Sequence, residues 1–125
     1  MTVADADKKP LLIVMRQSPY GTSLAKAAVD VALATAAFDQ LVDLLFVGDG
    51  VLQLLAGQDS QSLGKKNIGR QLASLPLYDI NQVYFDAEAV SRYNLDMSSS
   101  PVTAKLLNPQ EMQQLMVAYD HLLGL

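Results

Sequence analysis

Residues 11–38 read LLIVMRQSPYGTSLAKAAVDVALATAAF. Leu11 to Met15 is a short, continuous apolar run, and its length with its Ile and Val predicts a strand buried on both faces. Arg16 to Thr22 is rich in turn formers. Thr22 or Ser23 can then cap a helix that reaches about Phe38. Leu24, Ala28, Val31, Ala34 and Phe38 recur at helical spacing and are expected to form its inner stripe. Seven alanines fall between Ser23 and Asp39, which would let this helix lie close to a sheet.

The strand-then-helix pattern repeats outward from this unit. Val42 to Val47 predicts a second strand, ended by Gly48-Asp49-Gly50. Val51 to Leu55 is a brief apolar helical turn stopped near Gly57, and Gln58 to Lys66 is a polar, loop-like stretch. A helix is expected from about Asn67 to Leu75, ending before Pro76, because the residue preceding proline avoids the α region. Val83-Tyr-Phe85 predicts a third strand, with a helix from about Ala87 to Tyr93. Asp86 stands where it could cap that helix. After the turn-rich residues 98–101, Val102 to Leu107 predicts a fourth strand. Asn108-Pro109-Gln110-Glu111 is a strong helix start, with Asn as cap, Pro at the first position and Glu at the third. Met112, Leu115, Met116 and Tyr119 form one apolar face of that helix, and His121 to Leu125 can be a final short strand. Such alternation implies an α/β fold whose mostly parallel sheet carries helices on both faces. Residues 1–9 are expected to be a flexible polar tail and residues 10–125 a single domain.

Half of the 125 residues are hydrophobic and mean hydropathy is +0.18. That excess fits either a buried parallel sheet or a surface meant for a partner subunit. The net charge of −4 comes with nine scattered Lys and Arg residues. A nucleic-acid backbone calls for a concentrated basic face, so direct binding to nucleic acid is not expected. There is no cysteine, hence no disulfide, no thiolate zinc site and no place to carry a persulfide. The polar N-terminus lacks the apolar core of a signal peptide and no segment approaches a membrane span. A cytoplasmic protein is expected.

The local motifs argue against an enzyme. Ser18, Gly21, Thr22 and Ser23 form a possible anion loop before the first helix, but simple turn geometry explains the same residues. Gly48-Asp-Gly50 fails the dinucleotide fingerprint at Gln53. Gly57 and Gly64-Lys65 fail the phosphate-loop spacing. His121 lacks a serine elbow, and Asp79, Asp86 and Glu88 lack a histidine partner for a metal. No cofactor and no metal are expected, and an assembly role is favoured over catalysis. A flavodoxin-like small-ligand protein using Ser18, Thr22 and Ser23 is the alternative.

Three segments together resemble the TusC/DsrF branch of the DsrE family of sulfur-relay proteins. They are Pro19-Tyr-Gly-Thr22 leading into the alanine-rich helix, Gly48-Asp-Gly-Val-Leu-Gln-Leu-Leu-Ala-Gly-Gln58, and Leu75-Pro-Leu-Tyr-Asp-Ile80. The resemblance spans about Leu11 to Leu125. It implies a three-layer, flavodoxin-like fold with about five strands. It also implies a heterohexamer holding two copies each of TusB-, TusC- and TusD-like subunits, which passes persulfide sulfur toward 2-thiolation of the tRNA wobble uridine. In sulfur oxidisers the counterpart subunits serve intracellular sulfur oxidation. The family's acceptor cysteine belongs to the TusD-type sister and lies just after the third strand, where Asp86 stands here. Val51, Leu52, Gln53, Leu54, Leu55 and Gln58 are the candidate partner interface. On this reading Asp86 needs one oxygen to cap a helix, so Asp86→Asn is expected to change stability little.

Overall fold

The computed structural model describes residues 9–18, 24–53, 71–100 and 102–125. Five strands form one sheet: β1 (Leu11–Met15), β2 (Val42–Phe46), β3 (Val83–Asp86), β4 (Lys105–Leu107) and β5 (His121–Gly124). Their spatial order is β4-β3-β2-β1-β5, and every neighbouring pair runs parallel. In register, Ile13 lies beside Leu44 and Leu44 beside Val83. The apolar residues of β1 to β3 therefore line both faces of the central strands, as the unbroken runs require.

The helices α1 (Leu24–Ala37), α2 (Ala87–Arg92) and α3 (Pro109–Ala118) cover the sheet. On one face Ile13, Met15, Leu44, Phe46, Val83 and Phe85 pack with alanines and valines of α1 and α2. Phe46 and Phe85 meet there with ring centroids 4.8 Å apart, inside the range of favourable tilted pairs. On the other face Leu12, Val14 and Leu45 pack under Met112, with Leu115, Met116 and Tyr119 beside it. This is the apolar face expected for α3. Its start is a full capping box: Asn108 accepts from the Glu111 N–H at 2.8 Å, and Glu111 accepts from the Asn108 N–H at 2.9 Å.

The inner stripe of α1 differs from the expected one. Ala25, Ala28, Val29 and Ala32 are buried, whereas Leu24, Val31 and Phe38 are exposed, Phe38 at 88%. Apolar spacing alone favours the bulky stripe. Close packing of a helix on a sheet favours the small one, because alanines let the backbones approach. Two boundaries also move. Val102 is buried but β4 begins only at Lys105. Residues 71–73 are helical, and the chain then crosses Pro76 in a 3-10 turn, Leu75–Tyr78, with proline near its start, where an N–H is not needed. Of the expected N-terminal tail only Lys9 is described; its ammonium pairs with Asp120 at 2.7 Å. No helix among the described residues is long and apolar enough to cross a membrane.

Candidate functional site at the rim of the sheet

The carboxyl ends of β1, β2 and β3 form a rim, where open α/β sheets hold their sites. After β2 the chain enters a 3-10 turn, Gly48–Leu52. Gly48 has φ +54, a left-handed conformation that costs a residue with a Cβ about 1–2 kcal/mol. Gly50 meets the end of β1 so closely that a Cβ there would lie 2.2 Å from the Met15 carbonyl oxygen. Glycine at 50 is therefore a matter of space, and glycine at 48 one of backbone conformation.

Asp86 ends β3 and is 6% exposed. Oδ1 accepts from the Ala89 N–H at 3.3 Å, which caps α2. Oδ2 accepts from the Gly48 N–H at 3.1 Å. A second tie joins the same elements, since the Tyr93 hydroxyl, just past α2, donates to Asp49. That hydrogen bond raises the Tyr93 pKa above the ordinary tyrosine range, with burial and the Asp49 charge adding to it. A third tie runs to the segment just past β1, where the Gln53 Nε2 donates to the Gln17 carbonyl at 3.2 Å. The Gln53 Oε1 is buried without a hydrogen-bond partner.

These positions correct part of the sequence reading. Val51 is fully buried in this chain's own core, and Gln53 is fully buried as well, so neither side chain offers surface to a partner. Leu52 is half-buried. Leu54, Leu55 and Gln58 lie outside the described residues. So do Gly21, Thr22 and Ser23 of the possible anion loop; Ser18 is described and half-buried. Asp86 uses both oxygens, which also changes the expectation for Asp86→Asn. An amide offers one oxygen where two N–H groups ask for acceptors.

Strand order reverses between β1 and β5, the place where this architecture opens a ligand crevice. A cavity of about 160 Å³ sits there, lined by Leu24, Ala27, Ala28, Val31 and Leu125 with Gln17. That lining is apolar and suits a phosphate poorly.

One polar group was missed in the sequence. On the α3 side of the sheet Tyr119 donates to Asp43, with Tyr84 close by. Burial raises the Asp43 pKa, against a lowering by the Tyr119 hydrogen bond. Burial first, then the hydrogen bond and charge of Asp43, push Tyr119 well above the tyrosine range. The available signal was a carboxylate inside the apolar run of β2.

The model of the DsrE/DsrF-like family matches residues 9–125. A TusC homolog from Pseudomonas aeruginosa is 34% identical over 115 residues, covering 92% of this chain and 97% of that protein. The intracellular sulfur oxidation protein DsrF of Allochromatium vinosum is 39% identical over 87 residues, covering 70% of this chain and 64% of DsrF. The crystal structure of the ychN protein from E. coli shares the fold, with a TM-score of 0.72 at 17% identity over 94% of this chain and 99% of that one.

Proposed function

The chain belongs to the DsrE/DsrF-like family, and from that premise we propose that it is a non-catalytic, structural subunit of a TusBCD-type sulfur-relay complex in the cytoplasm. Its partners are TusB-like and TusD-like sisters, two copies of each subunit forming a heterohexamer that serves 2-thiolation of tRNA wobble uridine. The carrying observation is Asp86. The position that corresponds to the sister's acceptor cysteine holds a buried carboxylate whose two oxygens both bond backbone N–H groups. A carboxylate cannot accept sulfane sulfur, and the chain has no cysteine elsewhere. Sulfur transfer requires a thiolate, so the chemistry falls to a sister subunit.

Similarity to DsrF supports a second reading, a subunit of the same kind serving intracellular sulfur oxidation. Both readings make the chain an assembly component. The apolar crevice between β1 and β5 gives the flavodoxin-like alternative no comparable support.

Co-expression with the two sister subunits tests the assembly. One particle of 2:2:2 stoichiometry by native mass spectrometry is the expected result. A stable monomer with no affinity for the sisters would refute it.

A further inference from the structure

The outward face of α1 carries a pattern of its own. Leu24, Ala27, Val31 and Ala34 recur at alternating steps of three and four residues, and Phe38 continues the series just past the helix. All five are exposed, Leu24 at 53% and Val31 at 40%. That spacing makes a straight seam along a pair of helices. The only charged residues of α1, Lys26 and Asp30, lie off the seam and bond each other at 3.2 Å. A helix face left to solvent is ordinarily polar, and this one is apolar throughout.

The edge strand extends the apolar surface. Leu123 of β5 is in register with Ile13, so it faces the α1 side of the sheet, where it too is exposed. Between the two lies the apolar cavity of about 160 Å³, walled by Leu24, Ala27 and Val31 from α1 and by Leu125 after β5. Helix and edge strand are thus the two walls of one groove.

We propose that this groove is where two copies of the chain pair, α1 against α1, antiparallel about a two-fold axis. The seam alternates large and small residues, and reversal makes it complementary to itself. Leu24 meets Ala34 of the second copy, Ala27 meets Val31 of the second copy, and the axis repeats both layers. Each layer then joins one large side chain to one alanine, the alternation that fills a contact without voids or overlap. A parallel pair would set Val31 against Val31 and Ala27 against Ala27, crowding one layer and leaving the next hollow. The antiparallel contact uses the same patch on both copies and closes at two. In a 2:2:2 particle it places the two copies of this chain at the two-fold axis. It is measured on this chain alone, so its failure leaves the sister-subunit reading standing.

The layer of Ala27 and Val31 supplies the test. Both residues are exposed, so Val31→Glu and Ala27→Lys should keep the fold, as read by circular dichroism. Sedimentation equilibrium should show the unaltered full-length chain as a reversible dimer. Either variant alone puts two unpaired charges into the contact and should weaken the dimer Kd at least about tenfold. Mixed in equal amounts, the variants set Glu against Lys in one layer and keep Ala27 against Val31 in the other. Dimer should then return to within about fivefold of the unaltered Kd. A monomeric unaltered chain would overturn the inference, as would variants that pair normally or a mixture that stays monomeric. Protection of the seam only when sister subunits are added to a monomeric chain would assign the face to a sister instead. Should either variant fail to fold, Ala27→Cys and Val31→Cys chains take its place, since the sequence holds no other cysteine. Under oxidation the mixture should cross-link faster than either variant alone, and equal rates would overturn the antiparallel pair.

Discussion

The Oδ2 of Asp86 and the N–H of Gly48 are 3.1 Å apart, and this bond joins the end of β3 to the turn that follows β2. Such a contact ties the glycine-rich turn to a strand end 38 residues further along the chain. Removing its acceptor tests how much the rim depends on it. Asp86→Ala should cost about 2–4 kcal/mol in urea denaturation, a lost cap plus the unsatisfied, part-buried Gly48 N–H. A cost below about 1 kcal/mol, the size of a cap alone, would mean the Gly48 contact adds nothing.

Gly50→Ala should destabilise the fold by about 1–3 kcal/mol, because its Cβ would collide with the rigid Met15 carbonyl. Gly124→Ala is the control. A Cβ there would meet only the flexible Arg16 side chain, at 3.5 Å. Equal midpoints for the two variants in the same denaturant series would contradict the close approach of turn and strand.

The rim also separates core from surface. Val51→Asp should unfold the monomer, since a fully buried position would take an unpaired charge. Leu52→Asp should leave a folded chain with weaker assembly. Circular dichroism reads the first effect and size-exclusion chromatography with the sisters the second. A Leu52→Asp chain that assembles normally would remove this residue from the interface.

Much of the fold was legible in the sequence because the central strands are unbroken apolar runs and the α3 capping box is a local signal. Both are set by residues near one another in the chain. The face of α1 was not legible. Leu24, Val31 and Phe38 satisfy helical periodicity as well as the true stripe does, and the requirement for close approach to β1 and β2 decides between them. The apolar turn at Val51 shows the same limit. Its hydrophobicity fits an interface or a core equally, and only its full burial in the core that also holds Met15 and Phe85 resolves it. Asp86 could be read as a cap from Ala87 onward, but its second partner lies 38 residues upstream, beyond any local pattern.

Tyr119 supplies a pH test on the opposite face. Its folded pKa is raised, chiefly by burial and then by the hydrogen bond to Asp43, while an unfolded tyrosine ionises near pH 10. Above about pH 10 the folded state binds the extra proton, so its contribution is fully present below that pH and is lost as pH rises. The urea midpoint of the unaltered chain should therefore fall between about pH 9.5 and 11. Tyr119→Phe should show a shallower fall, though not a flat one, because Tyr84 and Tyr93 are shifted in the same direction. Identical slopes would show that Tyr119 keeps no proton linkage to folding.

The proposed role is to support sulfur transfer without carrying sulfur. A reconstituted complex supplied with a cysteine desulfurase and ³⁵S-cysteine, then resolved under non-reducing denaturing conditions, measures this directly. The predicted result is label on the cysteine-bearing sister and none on this chain, with transfer lost when the chain is omitted and the particle falls apart. Stable label on this chain, or full transfer in its absence, would contradict the account.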